Sequence, residues 1–202
     1  MLPTASAGLL TGLSLIIAIG AQNAYVLRQG LLRSHVGPVV LVCAVSDLVL
    51  ILAGVAGIGV LVDRAGWLVE VVRWLGVAFL LWYAAASLRR ARHPESLGVG
   101  AAVGAERRRT AVGRAMALTW LNPHVYLDTV LLIGSLAAAQ GSIEARWWFG
   151  AGAATASVWW FASLGFGARL LAPLLRSPRA WQMLEMAIAA TMLFVAAMLA
   201  RG

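Results

Sequence analysis

VGPVVLVCAVSDLVLILAGVAGIGVLV, residues 36–62, carries a single charged side chain, Asp47, in a run long enough to cross a bilayer. A helix rises 1.5 Å per residue, so about 20 apolar residues cover roughly 30 Å of hydrocarbon. Working outward, similar runs fall near 5–27, 66–88, 113–139, 146–171 and 180–200. They are too long for barrel strands and do not alternate in polarity. With 61% hydrophobic residues and no lysine, the chain has too little polar surface to cover itself in water. The fold class expected is therefore all-α: a polytopic membrane protein of six transmembrane helices in two three-helix halves. Residues 1–202 form one transmembrane domain, with halves 1–88 and 113–202 joined by an Arg-rich connector, 89–112.

The formal charge of +8 resides in sixteen arginines, and their placement is uneven. Twelve fall in the first, third and fifth connectors, including Arg28, Arg33, Arg89, Arg90, Arg92, Arg107, Arg108, Arg109, Arg114 and Arg169. Arg64, Arg73, Arg146 and Arg201 mark the opposite face. The positive-inside rule then places the odd connectors in the cytoplasm and both termini outside. A re-entrant first or third segment is the main competing topology. Trp67, Trp147 and Trp148 fit an outer aromatic belt, and Trp82, Tyr83 and Trp181 an inner one. No arginine precedes the first run, so a cleaved signal is not expected. The Arg-rich connector reads as a lipid-headgroup face. Nucleic acid is not expected, because no aromatic platform accompanies the charge.

Polar groups inside the apolar runs are the functional candidates. Asp47 and Asp128 lie near the midplane by count. A carboxylate there costs about 2.5–3.5 kcal/mol even on the lenient insertion scale. They read as a cation or proton site, or as protonated acids hydrogen-bonded within the bundle. Trp120-Leu-Asn122-Pro123-His124 interrupts the fourth segment. Asn122 and Pro123 suit an N-cap and first helical position, so a half-helix with free N–H groups, or a simple kink, begins here. Gly20-Ala-Gln22-Asn23 is a similar irregularity in the first segment, offering amides to a ligand or to a neighbouring helix. His124 is a proton relay or a structural histidine. Two interrupted helices heading two groups of three suggest an inverted repeat. Glu70 and Arg73 should pair locally. Glu185 should reach the cytoplasmic interface or Arg179. Cys43 reads as a packing residue, and Gly8-x-x-x-Gly12 and Gly165-x-Gly167 as close-packing or flexible points; small-residue faces suit a homodimer or packing within one bundle equally.

Several chemistries lack their residues. One cysteine excludes an internal disulfide and a dithiol pair. There is no phosphate-binding G-x-x-x-x-G-K-[ST] run and no His-Glu-x-x-His. No cofactor or metal is expected. An intramembrane acid–base enzyme using the two aspartates, or a structural subunit, remains the alternative to transport.

Gly20-Ala-Gln-Asn-Ala-Tyr-Val-Leu-Arg-Gln-Gly30, Cys43-Ala-Val-Ser-Asp-Leu-Val-Leu50, Gly76-Val-Ala-Phe-Leu-Leu-Trp-Tyr83 and Thr119-Trp-Leu-Asn-Pro-His-Val-Tyr-Leu-Asp128 resemble the lysine exporter family (LysE/ArgO type). The last run is similar to the arginine-exporting branch. The resemblance implies a bacterial inner-membrane exporter of basic L-amino acids, L-arginine or L-lysine. It implies no enzyme activity. Exporting a cation from a negative cytoplasm costs about 2.3 kcal/mol per charge per 100 mV, which inward proton movement would supply. On that reading Asp47 and Asp128 meet the side-chain cation or alternate with protons. Gln22, Asn23, Asn122, Pro123 and His124 then form the rest of the site.

Overall fold

In the computed structural model, described over residues 1–17, 20–57, 66–92, 107–170 and 177–201, every regular element is a helix. Gly66, Leu68 and Val69 are described by backbone alone. Arg64, Arg176, residues 58–62 of the second expected helix and 93–106 of the connector lie outside the described residues.

The first apolar run forms two helices. α1 (Leu2–Ile16) and α2 (Ala21–Leu32) make an angle of 84°, as a broken span or a re-entrant pair does. The continuous helix expected over 5–27 is thus corrected. α2 also absorbs Arg28, which is not a connector residue but a buried helical one. α3 (Val36–Val55) stops before its expected end at 62, because Gly57 takes φ +94° and its N–H bonds back to the Gly54 carbonyl. α4 (Gly66–Arg92) runs past 88 and takes Arg89, Arg90 and Arg92 into its last turn, where cations suit the dipole.

α5 (Arg108–Trp120) starts inside the expected connector. α6 (Pro123–Ala138) follows after a break, and its residues Tyr126–Ile133 are wound as a π-helix. α7 (Ile143–Gly167) begins at a Ser142 cap whose Oγ accepts from Ala145 N–H at 3.1 Å. α8 (Pro178–Arg201) ends the described chain. By length and composition α3, α8 and the Glu70–Arg92 part of α4 can each cross a membrane, and the α1–α2 pair adds a fourth candidate. α7 matches them in length, but Gly, Ser, Thr and Trp dilute its apolar character.

Helix pairing follows the small residues. α1 packs on α7, and α4 on α8. A Cβ at Gly8 would strike the Phe149 carbonyl, and one at Gly152 the Ala5 carbonyl, so glycine lets the two backbones touch. α3 meets α6 in the same manner. A Cβ at Gly54 would lie 2.7 Å from the Thr129 and Val130 carbonyls, and one at Gly134 would lie 2.7 Å from the Gly54 carbonyl. These small residues are spent inside one chain. Gly165 packs on Val40, whereas a Cβ at Gly167 would meet nothing within 4 Å.

A core of Tyr25, Val39, Cys43, Tyr83, Leu118, Phe161 and Met192 joins α2, α3, α4, α5, α7 and α8. Cys43 is fully buried within it. Leu10, Leu41, Trp159 and Met183 stand outward, as side chains facing lipid do. Trp67, Trp82, Trp147 and Trp148 are exposed, as aromatic belts require. Tyr83 and Trp181 are buried and do not belong to a belt, which corrects that part of the inner-face reading.

Candidate functional site

Both helix interruptions open on one cavity of about 320 Å3, a size at the lower end of small-molecule sites. Gly20, Gln22 and Asn23 reach it from the start of α2. Asp47 and Ile51 come from α3; Asn122, His124, Asp128 and Thr129 from the break and α6. α1, α7 and α8 close it with Gly12, Leu15, Ile16, Ala153, Ser157, Phe194 and Met198, among others. Six of the seven residues singled out in the sequence therefore share one chamber. Pro123 does not line it. It is buried as the first residue of α6, where its missing N–H costs no helical bond.

The break before α6 is built locally. Asn122 is extended, and its Oδ1 accepts the His124 N–H at 3.2 Å. The half-helix start is thus realised, with an amide cap. Tyr126 Oη donates to the Trp120 carbonyl at 2.8 Å, satisfying the end of α5. Trp120 Nε1 donates in turn to Ser46 Oγ at 3.0 Å on α3. The π-helical winding that follows widens the turn carrying Asp128, a feature that recurs at functional sites. Asp128 is half-buried and lies four residues beyond His124, and both line the cavity.

The break before α2 is built differently. Gly20 is extended and offers no side-chain cap. Asn23 spans the gap: its Nδ2 donates to the Ile16 carbonyl at 2.6 Å, and its Oδ1 accepts from Trp160 Nε1 at 3.2 Å. Asn23 is thus a brace at the cavity wall. His124 Nε2 is buried and lacks a hydrogen-bond partner among the described residues, and Gln22 Nε2 has the Cys43 thiol as a polar neighbour.

Asp47 is 5% exposed and accepts from Ser157 Oγ at 2.9 Å. Sequence reasoning misses Ser157. A serine in an apolar helix gives no sign of its direction until α7 is packed on α3. The chamber thus offers two carboxyls, two helix starts with positive dipole ends, and the side chains of Gln22 and His124. No group of three or more His, Cys, Asp or Glu side chains suited to a metal occurs among the described residues.

A second buried polar cluster departs from the sequence reading. Glu185 is fully buried and binds neither the interface nor Arg179. Arg28 Nε donates to its Oε1 at 2.7 Å, and Arg90 Nε and Nη2 donate to Oε1 and Oε2 at 3.0 Å each. The signal available was a carboxylate inside an apolar run, which demands a partner; which arginine answers it depends on helix packing. Glu70 does pair with Arg73 as expected, and Trp74 Nε1 joins them at 2.7 Å.

An all-helical membrane protein with a polar chamber at two helix interruptions is the class that this fold and cavity define. Comparison with known sequences supplies the family: residues 13–202 match the LysE type translocator model, and the chain belongs to that family. Its members are translocators, so the chain is a transporter rather than an enzyme. The chain is 41% identical over 194 residues to the Arginine exporter protein ArgO of Escherichia coli (strain K12), covering 96% of this chain and 92% of that one. It is equally similar, at 41% over 194 residues and the same coverage, to the Arginine exporter protein ArgO of Klebsiella pneumoniae (strain 342). No solved structure matches.

Proposed function

We propose that this chain exports L-arginine, and L-lysine with it, across the bacterial inner membrane by proton-coupled alternating access. The observation that carries this reading is the meeting of Asp47 and Asp128 with two half-helix starts around one cavity. A basic amino acid has a cationic side chain, a carboxylate and an ammonium. The carboxylate suits the N–H groups and positive dipoles at Gly20–Gln22 and Asn122–His124, the arrangement that broken helices provide in carriers. The cationic groups suit the two aspartates. An aspartate that releases its proton to the cytoplasm, binds the cation and is reprotonated from outside couples export to proton entry. The names of the E. coli and Klebsiella relatives support the choice of arginine.

The helix pairing supports an inverted repeat. Exchanging the two halves carries the α1–α7 contact onto the contact of α5 and α6 with α3, and leaves α4–α8 and α3–α7 in place. The test is counterflow of labelled arginine in proteoliposomes, with an amino-acid panel and a pH gradient. Asp47→Asn and Asp128→Asn should each abolish counterflow. Full counterflow in both would remove the aspartates from the mechanism, and a rate blind to the proton gradient would leave a uniporter.

Topology has two readings. With six spans, both termini lie outside. The 84° bend between α1 and α2 favours a second, in which the pair is re-entrant and the N-terminus shares the cytoplasmic side of the connector after it. An impermeant thiol reagent on a Thr4→Cys, Cys43→Ala variant in intact cells separates them. Labelling requires an outside terminus.

A further inference from the structure

We infer that α2 is a moving arm of this carrier and that Glu185 is the lock that holds its far end. The inference rests on the export reading of the cavity and assigns the motion that serves it. α2 is a distinct helix with a break before it and a tight turn after it, although it is packed into the core through Tyr25 and Val26. It begins after the break at Gly20, and it ends at Arg33, which with His35 has φ 52°; these are the two non-glycine residues with positive φ among the described residues. Arg33 closes the last turn of α2 as a left-handed C-cap, and element-terminal residues of this kind are where hinges are found. The start of α2 carries Gln22 and Asn23 into the cavity. Five residues beyond Asn23, Arg28 is clamped on Glu185.

The clamp is asymmetric. Arg90 grips both Glu185 oxygens, bonds Ser87 Oγ at 2.6 Å and lies 5.5 Å over the Tyr83 ring. Ser87, Arg90 and Tyr83 belong to α4, which packs along α8, so Glu185 keeps a partner when α2 departs. Arg28 is therefore the guanidinium that can leave without stranding a buried carboxylate, the costly outcome for an ion pair. The cluster also sets two guanidinium groups against one carboxylate. Movement of α2 would change the cavity wall at Gln22 and the ion cluster at Arg28 together.

The test uses Leu27 and Leu184, which pack on one apolar cluster of α2 and α8 and leave the ion cluster intact. Leu27→Cys and Leu184→Cys, with Cys43→Ala, are joined by a short reducible cross-linker. Labelled-arginine exchange in proteoliposomes should fall by at least about tenfold and return on reduction. Unchanged exchange after complete cross-linking means α2 is a fixed brace and overturns the arm. A second measurement needs no cargo. In an Ile16→Cys, Cys43→Ala background, Glu185→Gln should raise the rate of labelling by a water-soluble thiol reagent about tenfold, by opening the cavity. An unchanged rate overturns the lock; if Glu185→Gln does not fold, Arg28→Gln, which leaves Glu185 on Arg90, gives the same reading. Should the parent protein exchange no basic amino acid, the export reading fails, while the labelling rates still judge the lock.

Discussion

The two helix interruptions around the cavity do one job by different means. The break between α5 and α6 is written into a short run of sequence: Asn122 caps, Pro123 occupies the first helical position, and Tyr126 folds back on the Trp120 carbonyl. The break between α1 and α2 has no cap of its own. Asn23 bridges it to the Ile16 carbonyl seven residues back, and Trp160 of α7 in turn holds Asn23. Each break also leans on another helix, the second through Trp120 on Ser46 of α3, but only the second has a side-chain cap. The uncapped break has less local structure to hold it, which suits the end of the cavity where α2 begins.

Substitutions at four positions would break or sharpen that contrast. The largest effect is expected at Asn23→Ala, which leaves the Ile16 carbonyl and the Trp160 N–H without this partner. Hydrogen bonds inside membrane bundles average about 0.6 kcal/mol and reach about 1.7, so a loss of about 1–3 kcal/mol of stability is expected for two. Thermal unfolding in detergent reads it, and arginine counterflow should fall with it. Trp160→Phe removes one of the two bonds and keeps the ring, so about half that loss is expected. A loss no larger than that of a surface substitution would show that the first break holds itself. Asn122→Ala should cost about 1 kcal/mol and Asn122→Asp much less, since aspartate also caps. Tyr126→Phe should be mildest, at about 0.6 kcal/mol, with substrate affinity unchanged. An affinity loss there would mean that the α5 end helps to shape the site.

Function offers a sharper contrast between the same regions. Gln22→Leu and His124→Leu each remove one polar side chain of the cavity wall, one from each break. If both bind the cargo, each should raise the KM for arginine about tenfold, the usual scale for one polar contact to a ligand. A change confined to one variant would assign the cargo to one helix start.

Much of the site is legible in the sequence because lipid makes polarity conspicuous. In water, Asp47, Gln22 and Asn122 would be ordinary residues; in apolar runs each demands a partner or a cavity. Asn-Pro is legible too, because proline's missing N–H and an amide cap act within one turn. Ser157 and Glu185 are not. Serine is common in membrane helices, and the arginine nearest to Glu185 in sequence is not the one that packing brings to it; Arg28 and Arg90 are. The inner aromatic belt fails at Tyr83 and Trp181 for the same reason: composition places an aromatic at a depth and says nothing about which way it faces.

Sequence by itself determined that this chain is helical and lives in lipid, because apolar length is a local property set by bilayer thickness. It also marked where two helices stop and which acids need company. Only the tertiary structure decided that both interruptions share a chamber with Asp47 and Asp128, that Ser157 attends one of them, and that α2 hangs on Glu185. Those facts depend on helix rotation and on backbone contact at Gly8, Gly54 and Gly152, where the absence of a side chain lets distant segments meet.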